Sequence, residues 1–166
     1  MATVSPNANS PSYQHRTALI VSLVVVIVVA TLGGFASADA AADYSKLAQP
    51  GWAPPGYVFG PVWTALYLLM AVAAWLVWRS DPRWSNSAII AYGVQLALNL
   101  LWTPLFFGLG WRGLALIDIL VLDLAVVVTI AKFWKVHRTA AIMLLPYAAW
   151  ILFATALNYS VWSLNS

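Results

Sequence analysis

The residues of this chain whose types and spacing suit chemistry are aromatic rings and amides set at helical intervals. Trp63 and Tyr67 lie one turn apart and share a helix face. Tyr92, Gln95, Asn99 and Trp102 follow the 3–4 spacing of a single stripe. Trp150, Ala154 and Leu157 lie on one face, where a large indole followed a turn later by alanine leaves a recess. Indole and phenol rings stack on flat aromatic guests and carry one polar hydrogen each. The competing reading is a helix interface joined by amide hydrogen bonds, typically about 0.6 kcal/mol each in membranes. For Asn99 and Trp102 the two readings weigh equally.

Several other chemistries have no residues to support them. Asp118 and Asp123 stand about 140° apart around a helix and cannot form a carboxylate pair on one face. Asp123, deeper in apolar sequence, needs a partner or a proton, and a bond to a neighbouring helix is favoured over ligand contact. There is no cysteine, which excludes disulfides and thiolate chemistry. His15 and His137 fall in a tail and a loop without metal-ligand spacing, so no metal site is expected. A haem would find no histidine or cysteine axial ligand within the membrane. A tetrapyrrole would therefore be held by stacking and hydrogen bonds, with no obligatory cofactor.

The elements that must position these residues are membrane spans. Of 166 residues, 63% are hydrophobic and only 8% charged, against about 25% charged in soluble domains. Apolar segments at roughly 17–36, 58–79, 86–107, 112–131 and 139–162 are long enough to cross a bilayer. The expectation is an all-α, integral membrane five-transmembrane-helix bundle over residues 17–165, preceded by a polar, disordered tail at 1–16. His15-Arg16, the apolar run and Ala36-Ser37-Ala38 resemble a cleavable signal, but about 20 apolar residues exceed the usual length. Pro104 should kink or loosen the third span. At the entry to the second span, Pro54, Pro55, Gly56, Gly60 and Pro61 shape an aromatic-rich lead-in rather than a floppy one. Trp75, Trp78, Trp84, Trp111, Trp134 and Trp162 lie near span ends as interfacial anchors. The net charge of +3 is scattered over helix ends, and nucleic acid is not an expected partner.

Three segments together resemble a known family. They are Trp52-Ala-Pro-Pro-Gly-Tyr-Val-Phe-Gly-Pro-Val-Trp63-Thr-Ala-Leu-Tyr67, Gln95-Leu-Ala-Leu-Asn99-Leu-Leu-Trp102, and Pro146-Tyr-Ala-Ala-Trp150-Ile-Leu-Phe-Ala154-Thr-Ala-Leu-Asn158-Tyr. In order and spacing they look like the TspO/MBR family, the tryptophan-rich sensory proteins of bacteria and the translocator proteins (peripheral benzodiazepine receptors) of mitochondria. The resemblance implies a five-helix bundle, a retained first helix, a homodimer, and a cavity closed by the first loop. It implies binding of porphyrins such as protoporphyrin IX or haem, and of benzodiazepine-site ligands. The implied ligand-binding residues are Tyr44, Pro54, Trp63, Tyr67, Asn99, Trp102, Asp123, Trp150, Ala154 and Leu157. Trp63 and Trp150 match the tryptophans that the family associates with light-driven porphyrin breakdown. One departure argues against cholesterol binding: no Lys or Arg follows Tyr159 in Ser160-Val-Trp-Ser163.

The resulting expectation is a tetrapyrrole-binding membrane receptor or sensor with a regulatory role in tetrapyrrole metabolism or stress response. The rivals are a light-dependent porphyrin-degrading enzyme and a transporter of tetrapyrroles or lipophiles. The expected location is a bacterial cell membrane, inner or outer, in preference to the mitochondrial outer membrane. Arg16, Arg79, Arg83, Lys132, Lys135 and Arg138 fall on one side of a five-span topology, leaving Lys46 and Arg112 opposite. The positive-inside rule then places the N-terminus inside and the proline-rich loop outside. A reporter fused to the C-terminus should be active outside; activity in the cytoplasm would contradict that orientation.

Overall fold

The computed structural model describes residues 20–31, 44–80 and 82–166, without the side chains of 82–85. The expected tail at 1–16 and parts of the first span and first loop lie outside the described residues. Every regular element among those described is helical. They include α1 (Ile20–Thr31), a 3-10 turn (Gly56–Val58), α2 (Phe59–Trp78), α3 (Pro82–Thr103), α4 (Arg112–Val136), α5 (Arg138–Met143) and α6 (Leu145–Leu164).

Four stretches are long and apolar enough to cross a membrane: Gly56–Trp78, Asn86–Gly108, Arg112–Val136 and Arg138–Leu164. The described part of α1 is apolar but shorter, below the roughly 20 residues a span needs. The architecture is thus a helical membrane bundle with four spanning helices and one shorter apolar helix among the described residues. Large apolar side chains such as Ile117, Leu124 and Val127 face outward on α4, as a helix in hydrocarbon requires. Trp78, Trp111, Trp134 and Trp162 are exposed near helix ends, and the Arg79 guanidinium stands 4.5 Å above the Trp75 ring.

α3 packs along α4, α4 along α6, and α2 against α5 and α3. The main core joins Met70, Ala73 and Val77 of α2 to Leu96 of α3, Leu122 of α4 and Ile151 of α6. Small residues on α2 let its backbone approach closely, the usual device where lipid supplies no hydrophobic drive between helices.

Proline interrupts the bundle twice. After Thr103 the chain widens into a π-helical turn, Pro104–Gly108. There the Leu109 N–H donates to the Pro104 carbonyl at 2.8 Å and the Trp111 N–H to the Leu105 carbonyl at 2.9 Å. This is the loosening expected at Pro104, which lacks a hydrogen for the carbonyl one turn earlier. The span expected at 139–162 is present as Arg138–Leu164, with an internal break at Leu144 between α5 and α6, because Pro146 cannot continue the ladder behind it. His137 caps α5, its Nδ1 accepting from the Ala140 N–H at 3.3 Å.

Asn158 holds the loop end of the bundle together. Its Oδ1 accepts from the Trp102 indole N–H at 2.9 Å and its Nδ2 donates to the Arg112 carbonyl at 3.0 Å. Replacing Asn158 with Leu leaves both groups without that partner, and each such buried group costs about 1–3 kcal/mol. The expected result for Asn158→Leu is an unfolding midpoint lower by several degrees, about 2–4 °C per kcal/mol at this size. An unchanged midpoint in detergent would remove Asn158 as a structural node.

Candidate functional site

A cavity of about 540 Å³ lies inside the bundle, between the loop before α2 and the middle of the helices. That volume falls within the roughly 300–1,000 Å³ of small-molecule sites. Its aromatic wall is built in steps along helices. Phe59, Trp63 and Tyr67 recur every four residues on α2, and each turns a ring inward. Trp102 contributes from α3, and the widened turn at Pro104 carries Phe107 to the same wall. Trp150 and Ala154 of α6 face the cavity with Ile119 and Leu122 of α4.

The rings buttress one another. Trp63 lies 5.4 Å from Tyr67 and 6.2 Å from Tyr147, centroid to centroid. Trp102 stacks on Phe106 at 5.0 Å. Phe59 meets Tyr44 edge-on at 5.5 Å and Trp150 edge-on at 5.8 Å. Aromatic pairs in these arrangements contribute about 0.5–1.5 kcal/mol each beyond buried area. The wall is therefore stiff before any guest arrives.

Polar groups around the cavity divide into engaged and available. The Tyr67 hydroxyl donates to Asn99 Oδ1 at 2.8 Å, and Asn99 Nδ2 donates to the Tyr147 hydroxyl at 3.2 Å. The Trp102 N–H is taken by Asn158. Trp102 thus offers the cavity a ring face, whereas Asn99 keeps one amide hydrogen and one lone pair. The Tyr44 hydroxyl and Trp150 Nε1 are buried with no hydrogen-bond partner among the described residues. Burial pushes the Tyr44 phenol above its ordinary pKa, so at neutral pH it is a protonated donor.

Seven of the ten expected ligand-binding residues line this cavity: Tyr44, Trp63, Tyr67, Asn99, Trp102, Trp150 and Ala154. Three do not. Pro54 is half-buried in the loop, while Tyr44 and Gly56 supply the loop's part of the wall. Asp123 accepts from Thr155 Oγ1 at 2.9 Å, the interhelical bond its depth called for. Leu157 shares the face of Trp150 but lies about 10 Å further along the axis, packed with Tyr44 and Leu105 in a second apolar cluster.

Sequence reasoning missed Phe59, Thr64, Phe107 and the α1 contribution of Leu23, Val26, Ile27 and Ala30. Phe59 was findable, one turn before Trp63. Phe107 was not, because it stands five residues from Trp102 and only a π turn aligns the two.

The loop over the cavity is pinned at several points. The Ala53 N–H donates to the Pro50 carbonyl at 2.9 Å and the Val58 N–H to the Pro55 carbonyl at 3.0 Å, so each proline opens a turn. Trp52 meets Phe153 edge-on at 5.7 Å, and Gln49 Nε2 donates to the Tyr44 carbonyl. Asn165 clasps Ala48 from the far end of α6: its Oδ1 accepts from the Ala48 N–H at 3.0 Å and its Nδ2 donates to the Ala48 carbonyl at 2.9 Å.

This arrangement, a polytopic helical bundle enclosing an aromatic cavity beneath a clasped loop, defines a multi-pass helical membrane protein with an aromatic-lined internal cavity. Comparison with known proteins gives the family. The TspO/MBR family model matches residues 21–163, and the chain belongs to that family. It is 39% identical over 150 residues to the tryptophan-rich protein TspO of Archaeoglobus fulgidus, covering 89% of this chain and 97% of that one. It is 42% identical over 125 residues to the human translocator protein, covering 74% of each. Protein CrtK of Rhodobacter capsulatus is 38% identical over 126 residues, covering 74% of this chain and 78% of that one.

Asn165→Ala removes both bonds to Ala48, worth about 0.5–1.5 kcal/mol each at most. The expected outcome is faster hydrogen exchange at the loop amides from Leu47 to Ala53, with the helices unaffected. Unchanged exchange there would show that the rings alone hold the loop.

Proposed function

We propose that this protein is a membrane receptor and sensor that binds tetrapyrroles, such as protoporphyrin IX or haem, and benzodiazepine-site ligands in its aromatic cavity. The observation that carries the reading is the wall itself: three indoles, two phenols and two phenyl rings around one space of about 540 Å³. A flat macrocycle presents two large faces, and offset or edge-on contact with such rings is the arrangement that favours it. The Tyr44 hydroxyl and Trp150 Nε1 supply two hydrogen-bond donors for acceptors on the guest, and Asn99 supplies a third. The porphyrin is a ligand in this reading, held by stacking and hydrogen bonds. The names of two relatives, a tryptophan-rich sensory protein and a translocator protein, are in keeping with a sensing or translocating role. The proposed assembly is a homodimer in a bacterial cell membrane, and a sterol is not the proposed guest.

A second reading has its own observation. Trp63 and Trp150 both border the cavity, and Trp63 lies 5.4 Å from Tyr67. An indole beside a photoexcited porphyrin suits light-dependent breakdown of that porphyrin. Following the porphyrin absorbance bands under illumination separates the two: stable bands mark a receptor, decaying bands lost in Trp63→Phe mark the degrader.

For the receptor reading, Trp63→Ala and Trp150→Ala should each weaken protoporphyrin IX binding about fivefold, the equivalent of about 1 kcal/mol of ring contact. Titration in detergent or nanodiscs checks this. Equal affinity in both variants and the unmodified protein would remove the stacking model.

A further inference from the structure

Buried and half-buried residues make up most of the cavity wall, but the seam between α1 and α2 carries exposed ones. Ile27 of α1 is 60% exposed and Leu68 of α2 is 54% exposed, yet both border the cavity. Gly60 and Thr64 are also exposed and border it, forming with Leu68 one stripe at four-residue spacing. A Cβ built on Gly60 would meet no atom within 4 Å. A side chain can touch the cavity and the surroundings at once only where the wall between them is open.

The chemistry of that seam is that of the bilayer interior. Leu23, Val26, Ile27 and Ala30 line its α1 side. The one polar side chain on its α2 side, Thr64, turns its hydroxyl back to the Gly60 carbonyl at 2.9 Å, so it presents no unmet donor to hydrocarbon. Along α2 the exposed stripe lies about 6 to 18 Å from the start of the span at Gly56, at 1.5 Å per residue, and so reaches acyl-chain depth. The loop end contrasts with it: Tyr44 is 4% exposed there, and Asn165 holds the loop down through Ala48.

We propose that the seam between α1 and α2 is a lateral portal, through which a planar apolar guest passes between the bilayer interior and the cavity without crossing the loop. The portal rests on the receptor reading above and adds the route to it. A guest of this kind is concentrated in the membrane by its own partitioning, so the protein samples the pool dissolved in lipid rather than the scarce aqueous one.

The test uses the full-length chain in lipid nanodiscs, with protoporphyrin IX as the probe and its absorbance followed by stopped flow. Leu68→Trp and Ile27→Trp narrow the seam from opposite sides, and both positions face lipid, so folding is insensitive to added bulk. Each should slow association about tenfold, with dissociation slowed alongside because one route serves both directions. Asn165→Ala, which loosens the loop, should leave association nearly unchanged. Unaltered association in both seam variants, or faster association in Asn165→Ala, would overturn the portal in favour of access past the loop. Binding with unaltered rates removes the portal alone; failure of the unmodified protein to bind the porphyrin removes the receptor reading and the portal with it.

Discussion

A polar group without a partner in hydrocarbon costs several kcal/mol, and the arrangement of this bundle follows from how its two buried asparagines meet that demand. Asn99 joins α2, α3 and α6 through the Tyr67 and Tyr147 hydroxyls. Asn158 joins α6 to Trp102 and to the first carbonyl of α4. Individually such bonds are modest in membranes. Their value lies in register: one-turn slippage of any of these helices would strand several polar atoms together. Apolar packing against lipid-like neighbours tolerates sliding, whereas these nodes do not.

With the helices held at two levels, the space between them need not be filled. Ring-to-ring contacts at 5–6 Å, from Tyr44 through Phe59 and Trp150 to Phe153, keep the wall from collapsing inward. The wall spends the hydrogen-bonding capacity of Trp102 on structure and leaves that of Tyr44 and Trp150 open. Under the proposed receptor function, such asymmetry suits recognition mainly by shape and ring faces, with a few donors to orient the guest. Its edges differ in the same way: the loop end is held by turns and an amide clasp, whereas the seam between α1 and α2 carries exposed side chains that border the cavity.

Much of this was legible from residue types and spacing. Membrane residence followed from composition, and the four later spans from apolar run length, to within a few residues at most boundaries. The stripe Tyr92, Gln95, Asn99, Trp102 does face inward, for Gln95 and Asn99 are almost wholly buried. Its members differ in role: Asn99 and Trp102 border the cavity, whereas Tyr92 stacks on Phe133 at 5.9 Å within the core. Periodicity tells which face a residue occupies but not its depth relative to a void. Leu157 fails for the same reason, sharing an azimuth with Trp150 at another level.

By itself the sequence determined the solvent, the helical class and which side of each helix turns from lipid, because these depend on composition and on periods of 3.6 residues. Only the tertiary structure decided which polar atoms are consumed in holding helices together, where the last span breaks between α5 and α6, and how a π turn swings Phe107 onto the wall. It alone shows that exposed side chains of α1 and α2, Ile27 and Leu68 among them, also border the cavity. Those outcomes depend on contacts between residues as far apart as Ala48 and Asn165, which no local pattern encodes.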